Sequence, residues 1–273
     1  MGFRVACETE GVRGVATAEE VFSDTFGRFM RNWTFIMSLR QVADVALPIA
    51  EEALAAIHGD LVERVSVDPE YRKIVVKLDG SESDWDEGLK AFLRTGMTRT
   101  AINNARSAID AASLIFAHSV LDDCAWSYLK VCAIAGPADW EPLIRDKEVA
   151  FADVRKPLEE IRWDFINKKL EQLEHKSLLS KVDLLFQICT PPTGFAPINN
   201  YAYDRDRLVK IDEARHGIIH KNEMGKPLAE VDENLEFISK TSNFLMGLVN
   251  QKYGVKINPL RLFGFQAPPA ARA

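Results

Sequence analysis

The chain has 273 residues, 47% of them hydrophobic and 27% charged, with a formal net charge of -6. That is enough for one generous core or two modest ones in an ordinary soluble globular protein. The negative balance excludes a general attraction for nucleic acid or acidic membranes, so any RNA contact must be local.

Residues 1 to 16 are polar and glycine-bearing and read as a loose arm. MGFRVACETEGVRG has no apolar core of the signal-peptide kind, and Ala6 stands where a myristoylation pattern wants Ser or Thr. No stretch approaches the roughly 18 to 20 apolar residues that would span a bilayer, so a cytoplasmic location without membrane contact is expected. The four cysteines, Cys7, Cys124, Cys132 and Cys189, form no CxxC pair and no zinc-like spacing. They read as reduced core residues.

Thr17, with Glu20 three residues on, can cap a helix whose apolar positions Phe22, Phe26, Phe29, Trp33 and Ile36 recur at helical spacing. Pro48 should kink or restart this helix, which then runs toward His58-Gly59. LVERVSV and KIVVKL alternate and are valine-rich, which predicts a β-hairpin over about 61–78. A short helix from about Ser83 to Arg94 follows. The region 1–95 is thus an N-terminal helical region carrying a small hairpin.

From about Thr98, Ile102, Ala105, Ile109, Ala112, Phe116, Cys124, Tyr128 and Cys132 mark a long helix that stops at Gly136-Pro137. Asp122 and Asp123 within it could offer a carboxylate to Arg215 across the interior, although solvent exposure is the plainer expectation. Pro157 opens a further helix through Leu158, Ile161, Phe165, Leu170 and Leu173. Leu178, Val182, Leu185 and Phe186 continue it after a bend near His175. CTPPTGFAPINNYAYDRDR must be a long loop, and such loops are often functional. In it Phe195, Tyr201 and Tyr203 could stack on unpaired bases while Arg205, Arg207 and Lys210 meet phosphates, or the aromatics could simply tuck the loop onto the helices.

A helix beginning near Asp204 places Leu208, Ile211, Ala214 and Ile218 on one apolar stripe, and Arg215 falls inside that stripe. Asp212, His216 and His220 share the polar side, with His220 roughly 140° around from Arg215. A guanidinium in an apolar stripe needs an anionic partner, because an unpaired charge out of water costs several kcal/mol. The final long helix carries Val231, Leu235, Ile238, Leu245, Leu248 and Val249 and stops at Tyr253-Gly254. The bundle therefore spans 96–257 and a tail 258–273, and the fold class is all-α.

Arg215-His216-Gly217-Ile218-Ile219-His220, followed by Lys221-Asn222, resembles the R-x4-6-H signature of the HEPN superfamily. The resemblance implies a HEPN-like bundle of four to five long helices with an N-terminal extension. It also implies a metal-independent, cofactor-free endoribonuclease that cuts RNA by 2′-hydroxyl attack and leaves a 2′,3′-cyclic phosphate. Arg215, His220 and His216 would be catalytic, and Lys221 and Asn222 would help to bind substrate. Relatives of this type build a composite active site in a homodimer, and some act as toxins with an antitoxin partner or as antiphage effectors.

Histidine suits the proton transfers because it changes charge near neutral pH, and arginine suits the phosphate because its planar fork stays charged. Two other readings stay open. One is a non-catalytic HEPN-like RNA-binding, nucleotide-binding or scaffold protein. The other is a metal-assisted hydrolase with Asp212, His216 and His220 as ligands, in the order D-x3-H-x3-H but without the glutamate of HExxH.

Overall fold

A computed structural model describes residues 16–68, 70, 82–144, 155–195, 201–221 and 228–262. All elements among them are helical. The long ones are α1 (Ala18–Ser66), α2 (Glu82–Ala91), α3 (Met97–Ala135), α5 (Leu158–Glu174), α6 (Leu178–Ile188), α7 (Arg205–Lys221) and α8 (Val231–Tyr253). Two short helices, α4 (Glu141–Ile144) and α9 (Pro259–Leu262), and a 3-10 turn at Pro137–Trp140 are also present among the described residues. A π-helical turn at Phe92–Gly96 joins α2 to α3 without a break.

The expected hairpin is absent among the described residues. Its first arm is the end of α1, and its second arm, KIVVKL, lies outside them. Val62 is buried and Val65 half-buried, and with Leu54 and His58 they extend a three-and-four spacing, so the apparent alternation of LVERVSV is one face of a helix. Ser66 Oγ donates to the Val62 carbonyl at 2.6 Å, a bond made one helical turn back. Pro48 lies inside α1, and the helix does not restart there.

Contacts divide the chain into two compact units: residues 1–34, 116–214 and 232–273, and residues 35–115 and 215–231. In the first, Phe22 and Phe29 of α1 are buried, as are Leu121, Cys124, Tyr128 and Cys132 of α3. Ile166 of α5, Leu185 of α6, Leu208 and Ile211 of α7 and Ile238, Leu245 and Val249 of α8 share that burial. Cys124, Cys132 and Cys189 are buried free thiols, with Cys132 and Cys189 sulfurs 3.6 Å apart.

Both ends of this unit are tied by residues that the pattern picked out. Thr17 N–H donates to Glu20 Oε2 at 2.8 Å and Glu20 N–H to Thr17 Oγ1 at 3.2 Å, a reciprocal cap. Gly254 ends α8 at φ +66, a left-handed turn that favours glycine. The tail then returns to α1, where Asn258 N–H donates to Ser23 Oγ at 2.9 Å and Arg261 meets Glu20 and Asp24 at 2.5 and 3.0 Å.

In the second unit α1 and the first half of α3 run antiparallel. Arg40 meets Asp110 at 2.6 Å, Asp44 meets Arg106 at 3.2 Å, and farther along His58 Nδ1 lies 2.7 Å from Thr98 Oγ1. Ile36, Ala43 and Val62 are the buried side of α1, facing inward with Ala111 and Leu114 of α3 and Ile218 of α7. The other side of α1 is unusually apolar for an exposed helix face. Phe35, Val42, Val45, Ile49 and Ile57 are 60 to 68% exposed and Leu39 38%.

Candidate functional site

Helix α7 starts where the sequence says it should. Asp204 Oδ1 accepts from the Arg207 N–H at 3.0 Å and supplies the N-cap, and along the expected stripe Leu208, Ile211 and Ile218 are buried and Ala214 is half-buried. Arg215 sits half-buried in that stripe. Its Nε is out of water and meets no acceptor among the described residues. An unmatched donor on a charged group is costly to bury.

The carboxylate that the sequence offered as its partner is engaged elsewhere. Asp122 takes the ammonium of Lys181 on both oxygens, at 2.8 and 2.7 Å, and Asp123 meets Arg28 at 3.2 Å.

His216 and His220 are exposed and neighbour each other on the last turns of α7, with ring centroids 4.4 Å apart and planes at 39°. Lys221 is the exposed last residue of the helix, and Asn222 lies outside the described residues. Because α7 stays helical through Lys221, fraying does not swing His220 toward Arg215, and the two side chains leave the helix roughly 140° apart.

Asp212, expected beside His216 and His220 on the polar side, is turned to another histidine. Its Oδ1 lies 2.9 Å from Nε2 of His118, a side chain only 5% exposed. Nothing in the local pattern around His118 marks it, since it stands in an apolar run of α3 and its partner comes from a distant helix. Among the described residues no three His, Cys, Asp or Glu side chains gather closely enough to hold a metal ion.

The loop aromatics pack within the chain. Tyr201 shares its hydroxyl hydrogen bond with Thr241 at 2.6 Å and lies 6.0 Å from the Phe237 ring, centroid to centroid. The Tyr203 ring lies tilted against Phe186 with centroids 4.8 Å apart, and Phe195 meets Phe244 edge-on at 5.3 Å. Burial pushes the Tyr201 phenol up to about 12, against the opposing hydrogen bond from Thr241, and pushes Tyr203 up as well.

Arg205 clasps Asp183 through two bonds of 3.0 and 2.9 Å. Arg207 reaches Asn234 at 3.3 Å and lies over the Phe237 ring at 5.4 Å. Lys210 is exposed on α7. The structure therefore groups His216, His220 and Lys221 at the end of α7, with Arg215 one residue before them. It draws the loop tyrosines and Arg207 onto α6 and α8.

Compared with protein-family models, curated proteins and solved structures, the chain matches none. No helix among the described residues is long and apolar enough to cross a membrane.

Proposed function

We propose that the chain is a metal-independent endoribonuclease of the HEPN type, acting on single-stranded RNA, with Arg215, His216 and His220 as its catalytic residues. One observation carries this reading: a guanidinium with an unmatched Nε shares the last turns of one helix with two exposed imidazoles whose ring centroids lie 4.4 Å apart. The chemistry needs those three groups. One imidazole takes the proton of a 2′-hydroxyl, O2′ attacks the adjacent phosphorus, the P–O5′ bond breaks, and the other imidazole gives a proton to the departing 5′ oxygen. The products are a 2′,3′-cyclic phosphate and a free 5′-hydroxyl, and the guanidinium steadies the phosphate oxygens throughout.

Since Arg215 and His220 leave one helix about 140° apart, a composite site in a homodimer, with groups from two copies on one phosphate, answers the geometry best. A toxin or antiphage role with an antitoxin partner belongs to this same reading. The test is single-stranded RNA incubated with the purified protein in EDTA, beside His220→Ala, His216→Ala and Arg215→Ala. Cleavage that resists EDTA, yields cyclic phosphate ends and falls at least about a hundredfold in each variant is expected. Cleavage abolished by EDTA sinks the reading in favour of metal assistance. RNA bound but never cut leaves the non-catalytic binding or scaffold protein.

A further inference from the structure

The last turn of α3 and the end of α6 bring two thiols into contact. The Cys132 carbonyl accepts from the Gly136 N–H as α3 closes, and Cys189 is the C-cap of α6, with φ -102 and ψ 28, where the helix gives way to the connection leading to Tyr201 and Tyr203. Their sulfurs are 3.6 Å apart, across 57 positions of chain. Both side chains are buried, Cys132 at 0% exposure and Cys189 at 2%. Cys124 stands two turns earlier on α3, about 12 Å along the helix axis, and is hydrogen-bonded to Ser242. Among the described residues, Cys132 and Cys189 are therefore each other's only thiol within reach.

We infer that Cys132 and Cys189 are a redox-active pair that a hydroperoxide converts into an intramolecular disulfide, clasping the end of α3 to the head of the connection after α6. Sulfurs 3.6 Å apart need to close by only about 1.5 Å to reach the roughly 2.05 Å of an S–S bond. The C-cap position of Cys189 allows that movement, because its backbone has already left the helix. Held in contact by the fold, the two sulfurs meet at a far higher effective concentration than a thiol from solvent can match, which favours the bond once it has formed.

The chemistry balances within the pair. Cys189, which keeps the residual exposure, attacks the peroxide: an S–O bond forms, the O–O bond breaks, and an alcohol or water departs carrying the thiol proton. Cys132 then attacks the sulfenic sulfur, the S–S bond forms, the S–O bond breaks, and hydroxide leaves as water. The two sulfurs lose two electrons and the peroxide gains them. Cys132 must shed a proton for its attack, and a path outward stands beside it. The Tyr253 hydroxyl is hydrogen-bonded to Cys132 and donates to Asp139 Oδ2 at 2.8 Å, and that aspartate side chain is 32% exposed. Burial and the adjoining Cys189 hold the Cys132 thiol well above its usual range, against the Tyr253 bond, so Cys132 does not meet the oxidant first.

The clasp stands on residues apart from the Arg215–His220 motif, so it survives or fails independently of the ribonuclease reading. The test treats the full chain, in a Cys7→Ser background, with hydrogen peroxide and maps the products by mass spectrometry after thiol capping. One disulfide is expected, reversed by dithiothreitol and joining the tryptic peptides that begin at Val131 and Val182. Because the bond closes a long loop, the melting temperature should rise by roughly 5 °C or more. A Cys132→Ala chain should stop at a sulfenic acid on Cys189 that dimedone traps, and a Cys189→Ala chain should leave Cys132 unmodified. Thiols that stay free in the folded chain, a cross-link through Cys124, a sulfenic acid on Cys132, or a disulfide that fails to raise the melting temperature would overturn the inference. If an alanine variant does not fold, the peptide map and melting temperature of the Cys7→Ser chain decide by themselves.

Discussion

Lys181 of α6 holds Asp122 of α3 through both carboxylate oxygens, at 2.8 and 2.7 Å, with the lysine side chain 3% exposed and the aspartate 34%. A lysine this deep in the fold is tolerated because its charge is answered directly. The neighbouring pair, Arg28 and Asp123, is about half exposed on both sides and held at 3.2 Å.

Removing one partner of the buried pair strands the other. Asp122→Ala should cost about 3 kcal/mol in urea unfolding, whereas Asp123→Ala should cost at most about 1 kcal/mol because water screens that pair. Equal losses at the two sites would show that the Lys181 ammonium reaches solvent.

Gly136 ends α3 where the Tyr253 ring closes over it. A Cβ there would run into Tyr253 Cε1, and it would lie 2.7 Å from the Asp139 carboxylate that accepts the Tyr253 hydroxyl at 2.8 Å. Gly136→Ala should therefore lower stability by about 1–3 kcal/mol, the usual cost of overpacking. The double variant with Tyr253→Leu, which removes the obstructing ring, should show non-additive losses in a thermodynamic cycle.

Asp212 pairs with His118 and does not stand free beside His216 and His220. Asp212→Asn should thus lower stability by roughly 1 kcal/mol while leaving any RNA cleavage resistant to EDTA. An Asp212→Asn protein that retains its stability but needs added zinc or manganese for activity would restore the metal-assisted reading.

Alkaline pH should unfold the chain in a defined window. Below pH 10 the Tyr201 phenol is protonated in both states, and its contribution to stability is fully present. Above pH 10 the unfolded chain releases that proton while the fold keeps it, until the folded phenol titrates at about 12, so stability falls as pH rises between those values. Burial raises Cys124 from 9.0 to about 12 and adds to the loss from about pH 9 upward. The urea midpoint measured from pH 8 to 12 should fall through this range, less steeply in Tyr201→Phe. Identical slopes would mean that Tyr201 is as accessible in the fold as in the unfolded chain.

The helices and their ends were legible in the sequence because caps and apolar spacing act within one or two turns. The Thr17–Glu20 box, the opening of α7 at Asp204 and the stop at Gly254 are all local arrangements. So is the position of Arg215 in an apolar stripe. The hairpin failed on the same scale: LVERVSV satisfies a two-residue and a three-and-four-residue period at once, and only the buried side of α1, set by α3 packing against it, decides between them.

The charged pairs were beyond the sequence for another reason. Which carboxylate meets Lys181, and which histidine meets Asp212, depends on how far each helix slides along its neighbour before it packs. A shift of one turn, about 5.4 Å, would pair different residues with no change in any local pattern. The sequence by itself determined that these segments are helices and which side of each is apolar. Only the tertiary structure decided which polar groups are answered and which, like the Nε of Arg215, meet no acceptor among the described residues. Those matches are fixed by close packing between residues far apart in the chain, where no local preference reaches.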